Sequence, residues 1–154
     1  SCFSLGFNWM EKISQNPEQT YNFGLQIADT VRPGSVVILT GPLGAGKTII
    51  AKGIAEGLGI TEQVTSPSFS IVSEYQGNLN MRHIDLYRTG SDEELELMGF
   101  GELTSGSAVS IIEWGEKAKS FLNSDELVVE ITIEKDLSRK MKLTGPPKML
   151  EQLQ

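Results

Sequence analysis

The 154-residue chain is poor in soft metal ligands, with one cysteine, Cys2, and one histidine, His83. A single cysteine cannot close an internal disulfide, and the two residues together cannot build a typical zinc site. Arginine is scarce as well, limited to Arg32, Arg82, Arg88 and Arg139, and no basic cluster occurs anywhere. The formal charge is −7 and the pI about 4.7. A tight duplex binder needs a basic face to displace counterions from phosphates, so direct nucleic-acid binding is disfavoured. Any RNA is expected to be reached through a partner protein. No apolar run approaches the ~20 residues required to span a bilayer. No charged stretch followed by an apolar segment marks a signal peptide, so no membrane role and a cytoplasmic location are expected. Repeats, low-complexity linkers and composition breaks are also missing. One domain over residues 1–154 is therefore expected, with residues 1–16 and 146–154 peripheral.

What is present is an ordinary globular composition, 39% apolar, with helical and strand patterns interleaved. Tyr21, Leu25, Ala28 and Val31 recur at near-helical spacing, which predicts a helix over Pro17 to Val31. Asn16 stands at the N-cap and Pro17 at the first helical position. Arg32-Pro33-Gly34 then turns the chain. Ser35 to Thr40 is an apolar, β-branched run suited to a strand covered on both faces. A helix from Lys47 to about Leu58 follows, stopped by Gly59. Further strands are predicted at Ser68 to Tyr75, Asn80 to Leu86, Ala108 to Glu113, Leu127 to Glu134 and Lys140 to Thr144. Short helices are predicted at Asp92 to Met98 and Gly115 to Leu122. A turn at Gln76-Gly77-Asn78 makes the second and third strands antiparallel neighbours. The order predicts an α/β fold of the P-loop NTPase type, a mixed, mostly parallel sheet with helices on both faces.

Between the first of these strands and its helix lies Gly41-Pro42-Leu43-Gly44-Ala45-Gly46-Lys47-Thr48, which matches the P-loop pattern at every fixed position. Its context matches too, a buried-type strand before and a helix after. The glycines let the backbone approach phosphates, while the inward N–H groups and the helix N-terminus favour the anion. Lys47 is expected on the β- and γ-phosphates, and the Thr48 hydroxyl on Mg²⁺. Gly41, Leu43, Gly44, Ala45, Gly46 and Ile49 complete the expected nucleotide-binding set.

Such a site needs acids to order the metal and the attacking water. Ala108 to Glu113 is an apolar strand ending in a carboxylate, the usual Walker-B arrangement. Asp85 closes a second strand, Met81-Arg82-His83-Ile84-Asp85, with His83 on the same face. Both acids are candidates for catalysis and for holding Mg²⁺. His83 is expected to pack or to hydrogen-bond rather than to act as a base. Thr65-Ser66-Pro67-Ser68-Phe69 occupies the place of a switch loop, where hydroxyls meet the phosphate, metal or water, although an ordinary turn has the same composition.

Five blocks carry a more specific likeness: GPLGAGKT (41–48), TSPSF (65–69), HIDLYR (83–88), EELELMG (93–99) and IIEW (111–114). Together, in this order, they resemble the TsaE/YjeE-like P-loop ATPases of bacterial tRNA threonylcarbamoyladenosine synthesis. The resemblance runs from about Pro17 to Gly145. It implies slow ATP hydrolysis supporting modification of adenosine 37, without transfer of the threonylcarbamoyl group by this chain itself. It also implies a complex with the threonylcarbamoyl transferase and its inactive paralogue. On the matching positions it carries over Lys47 and Thr48 as phosphate and Mg²⁺ residues, and Asp85 and Glu113 as the important acids, with Trp114 beside them. Ser66 and Phe69 fall in the switch-like loop, and Thr20 near the nucleotide base. Gly115 stands where the family often has proline.

The expected chemistry is in-line attack of water on the γ-phosphate, with Lys47 and Mg²⁺ stabilising the transferring group. Glu113 is the first choice for polarising the water and Asp85 for ordering the Mg²⁺ shell. Arg88 and Arg139 are the available arginine-finger candidates. A small-molecule kinase would carry an arginine-rich lid, which this chain lacks. A GTPase would carry Asn-Lys-x-Asp and Asp-x-x-Gly motifs, also lacking. An ATP-dependent interaction module with little required turnover is the remaining alternative.

Overall fold

The computed structural model describes residues 9–65, 72–86, 92–97, 99–114 and 125–154. Strand β1 is Trp9–Ser14, followed by helix α1 (Pro17–Ala28), strand β2 (Val36–Thr40) and helix α2 (Lys47–Gly57). Strands β3 (Val72–Tyr75) and β4 (Met81–Asp85) come next, then short helices α3 (Asp92–Leu97) and α4 (Phe100–Leu103). Strands β5 (Val109–Glu113), β6 (Leu127–Ile133) and β7 (Arg139–Thr144) lead to the C-terminal helix α5 (Pro147–Leu153).

All seven strands form one sheet in the order β1-β7-β6-β2-β5-β4-β3. Strands β6, β2, β5 and β4 run parallel to one another, β7 and β3 pair antiparallel at their two sides, and β1 pairs antiparallel with β7. The parallel centre is where the near-continuous apolar sequences lie, because those strands are covered on both faces. In β2, Val37, Ile38 and Leu39 are all buried. The predicted β3–β4 hairpin forms about residues 76–78, pairing Tyr75 with Met81 and Val72 with Ile84.

Side-chain alternation divides the core between the sheet's faces. Val37, Leu39, Val109, Ile111, Val129 and Leu143 face α1 and α2 and form the larger cluster. Ile84, Leu86 and Ile112 form a smaller cluster on the opposite face, with Leu103 of α4 packed against it. Burying each such aliphatic side chain stabilises the fold by roughly 1.5–3 kcal/mol, before the entropy of ordering it is counted.

Local signals set the helix ends. The Asn16 side chain accepts from Gln19 N at 2.9 Å, and Pro17 opens α1 as its chemistry favours. The helix stops at Ala28, short of Val31, where Thr30 turns its hydroxyl back onto Ile27 O at 2.8 Å. Helix α2 ends before Gly59, whose φ of +79° reverses the chain. These two helices pack with backbones nearly touching. A Cβ on Gly24 would collide with Ile50 O, and one on Gly53 with Tyr21 O. Tyr21 Oη also donates to Glu56 Oε2 at 2.7 Å, and this bond raises the phenol above its ordinary pKa.

Within the stretches 1–16 and 146–154 expected to be peripheral, the described strand β1 and helix α5 are instead part of the sheet and core. Strand β1 pairs with β7 over its full length and buries Met10 completely. Helix α5 buries Leu150 and Leu153 in the larger cluster. The expected helix over 115–122, the start of the strand expected from Ser68, and Arg88 lie outside the described residues.

Candidate functional site

Because β2, β4 and β5 are parallel, their C-terminal ends emerge at one edge of the sheet, where open α/β sheets bind ligands. The glycine-rich loop leaves β2 at that edge. Gly41 has φ +147°, and a Cβ there would lie 2.7 Å from Ile131 O, so only glycine fits this first turn. Gly46 has φ +114° and caps α2 with no side-chain bond, which leaves the helix N-terminus to the loop. The anion-attracting end of α2 thus opens directly into the loop.

Lys47 is almost wholly buried, and Nζ donates to Gly41 O at 2.6 Å and Pro42 O at 3.0 Å. The same ammonium lies 3.9 Å from the centre of the Trp114 ring, a close cation–π contact. Trp114 reaches it from a left-handed backbone, φ +64°, just past β5. Its N–H is bonded to Leu39 O at 3.0 Å. A bulky residue in that conformation is strained, and the hydrogen bond and ring contact hold it there.

Glu113 ends β5 and is 3% exposed. The Thr48 hydroxyl lies 3.4 Å from both of its carboxylate oxygens, and His83 Nε2 lies 2.5 Å from Oε2. His83 is fully buried, and its Nδ1 has no hydrogen-bond partner among the described residues. It therefore acts as the hydrogen-bonding residue expected of it, attached to the acid. Asp85 sits directly opposite Glu113 in the β4–β5 register. Leu43, Gly44, Gly46, Lys47, Thr48, Ile49, Asp85, Glu113 and Trp114 line one open cleft of about 390 Å³. The sequence candidates from two strands and the loop are thus brought together.

A second cleft of about 180 Å³ lies on the other side of the loop, lined by residues 14–17, Thr20, Gly44, Ala45, Gly46, Ile49, Leu137 and Arg139. Thr20 is buried there, its hydroxyl 2.6 Å from Ser14 Oγ and its methyl carbon near Gly46. Arg139 does not point at the acids, as a finger would. It bonds the outer side of the loop, a contact between residues 94 and 95 positions apart that no local pattern announces. A cavity of about 690 Å³ lies at the opposite end of the sheet around Arg32 and Glu126, away from the loop. Ser66 and Phe69 are outside the described residues.

The donor set suits a hard, oxygen-seeking cation: a hydroxyl from Thr48 and carboxylates from Glu113 and Asp85 face one cleft. Among the described residues no cluster of three or more His, Cys, Asp and Glu side chains forms a metal cage. Mg²⁺ needs none, since it keeps waters and leans on substrate phosphates. No described helix is long and apolar enough to cross a membrane.

A model of the family described as "Threonylcarbamoyl adenosine biosynthesis protein TsaE" matches residues 14–141. The chain is 37% identical over 132 residues to the tRNA threonylcarbamoyladenosine biosynthesis protein TsaE of Treponema pallidum, covering 86% of this chain and 98% of that one. It is 39% identical over 139 residues to the protein of the same name from Bacillus subtilis, covering 90% and 87%. The crystal structure of Bacillus subtilis YdiB superposes with a TM-score of 0.81 at 32% identity, covering 97% of each chain.

Proposed function

The chain belongs to the TsaE family of tRNA threonylcarbamoyladenosine biosynthesis proteins, and on that premise we propose that it is their Mg²⁺-dependent ATP hydrolase. The observation that carries this reading is the convergence of Lys47 and Thr48 from the loop with Glu113 and Asp85 from β5 and β4. In it, the loop's N–H groups and Lys47 bind and orient the triphosphate, and Thr48 with the acids holds the metal. Mg²⁺, when bound, neutralises charge on the phosphate oxygens.

The contact between the Thr48 hydroxyl and Glu113 argues for exchanging the two acids' expected roles. In P-loop hydrolases the loop hydroxyl and the strand-end acid share the metal. Glu113, held by His83 and facing the Thr48 hydroxyl, is thus assigned to ordering the Mg²⁺ shell. Asp85, half-buried at the same edge, is assigned to positioning the attacking water. The second cleft, with Thr20, is assigned to the nucleoside.

In this reading the chain works with the threonylcarbamoyl transferase and its paralogue, and touches tRNA only through them. The intrinsic rate is low, as the family likeness implies, and the partners raise it. The test is tRNA modification reconstituted with the transferase pair, comparing wild type, Lys47→Ala and no added chain. Repeated cycles with wild type alone are expected. Equal modification in all three mixtures overturns the proposal. Full modification by a hydrolysis-dead Asp85→Asn chain that still binds ATP favours the interaction-module alternative.

A further inference from the structure

We propose that Arg139 is a positioning residue that presets the phosphate loop from its outer side, an inference that rests on the ATP-binding reading above. Arg139 begins β7, and its guanidinium is spent on neutral carbonyls. Nε donates to Ala45 O at 3.1 Å, Nη2 to Gly44 O at 3.2 Å and Nη1 to Leu137 O at 2.5 Å. The first two acceptors lie inside the glycine-rich loop, the third in the turn that leads into β7.

The consequence follows from peptide geometry. Every described peptide bond is trans, and in a planar trans unit the C=O and the next N–H point in opposite directions. Drawing Ala45 O outward onto Arg139 therefore aims the Gly46 N–H to the opposite side, into the loop. Gly44 O is drawn outward likewise, while the N–H that follows it, Ala45 N–H, is committed to Pro42 O at 3.1 Å. One bond shapes the turn and the other directs a donor at the anion. A charged donor on the carbonyl also polarises the peptide, strengthening the N–H on its far side. Gly44 and Gly46, at φ +79° and +114°, have no conformational preference of their own to hold this arrangement. A rigid external clamp replaces that missing preference and removes the cost of ordering the loop when phosphate arrives.

The clamp is itself held. Asp136 Oδ1 accepts from Ser138 N at 3.0 Å and from Ser138 Oγ at 2.6 Å, closing the turn that carries Leu137 O. Leu137 adopts φ +69° there, although it is 73% exposed and not glycine. The β6–β7 turn is thus built to present a carbonyl and an arginine to the loop.

The experiment measures binding of ATP, ADP and inorganic tripolyphosphate, each with Mg²⁺, to wild type, Arg139→Gln and Arg139→Lys. Unfolding midpoints are recorded in parallel. All three ligands are expected to lose about tenfold in Arg139→Gln, as for one hydrogen bond to a charged group. A smaller loss is expected in Arg139→Lys, which keeps the charge but cannot span the carbonyls. Loss for ATP and ADP with tripolyphosphate unchanged overturns the inference, because Arg139 then acts on the nucleoside. Affinities restored to wild type on cooling a destabilised variant overturn it as well, as a merely structural effect. A wild-type chain that binds none of the ligands defeats the ATPase reading and this inference together. Wild-type binding with unaltered variants defeats the inference alone.

Discussion

His83 Nε2 and Glu113 Oε2 lie 2.5 Å apart, the two side chains being 0% and 4% exposed. The pair joins β4 to β5 diagonally, His83 lying two residues before Asp85, the register partner of Glu113. A buried carboxylate needs partners, and its other contact here, to Thr48, is long at 3.4 Å. Replacing His83 with alanine therefore strands the acid, at a cost of about 1–3 kcal/mol in unfolding free energy. His83→Gln, which keeps a donor, is expected to recover part of it. Chemical denaturation measures both, and an alanine variant as stable as wild type would sink the pairing.

The proposed division between the acids is separable by metal titration. With the Glu113→Gln chain, the Mg²⁺ concentration for half-maximal ATP turnover should rise about tenfold or more, one charged ligand contact being lost. With Asp85→Asn, turnover should fall while the Mg²⁺ requirement stays near wild type. The reverse pattern would restore the roles expected from sequence.

The close α1–α2 contact predicts an unusual sensitivity to a single methyl group. Gly53→Ala places a Cβ against Tyr21 O, which is backbone and cannot swing aside. The helices must separate, and overpacking of this kind costs roughly 1–3 kcal/mol despite alanine's better helix propensity. Thermal unfolding reads the loss directly. A variant melting at or above the wild-type temperature would contradict the packing.

Tyr21 offers a pH signature. Its bond to Glu56 raises the phenol pKa above 10.0, so the neutral form is favoured in the folded state. The contribution is fully present below the unfolded pKa and disappears as pH rises through the folded value. Tyr21→Phe should cost about 0.5 kcal/mol at neutral pH, solvent exposure keeping it small. The difference from wild type should vanish once the phenol ionises. A stability gap that is constant from pH 7 to beyond that point would show that the ring, not the hydroxyl, matters.

Much of this was legible beforehand because it is local. Asn16 and Pro17 start α1, Gly59 ends α2, and a polar turn at 76–78 folds β3 onto β4. Strand β1 escaped notice because Glu11 and Lys12 interrupt its apolar pattern, and it becomes a strand only by pairing with β7. Helix α5 is only Pro147–Leu153, too short to show periodicity, and is held by burial of Leu150 and Leu153.

The site divides along the same line. The P-loop pattern at Gly41 to Thr48 is contained in eight consecutive residues, so the expectation of a phosphate site follows from sequence alone. Asp85 and Glu113 were visible as strand-end acids, but what each touches was not. Strand order made β5 the neighbour of both β2 and β4, and that placed Glu113 between Thr48 and His83. Only the sheet could bring Arg139 onto Gly44 and Ala45. Turn, cap and loop chemistry is decided within a few residues, whereas a buried acid's partners come from whichever strands the whole core sets beside it.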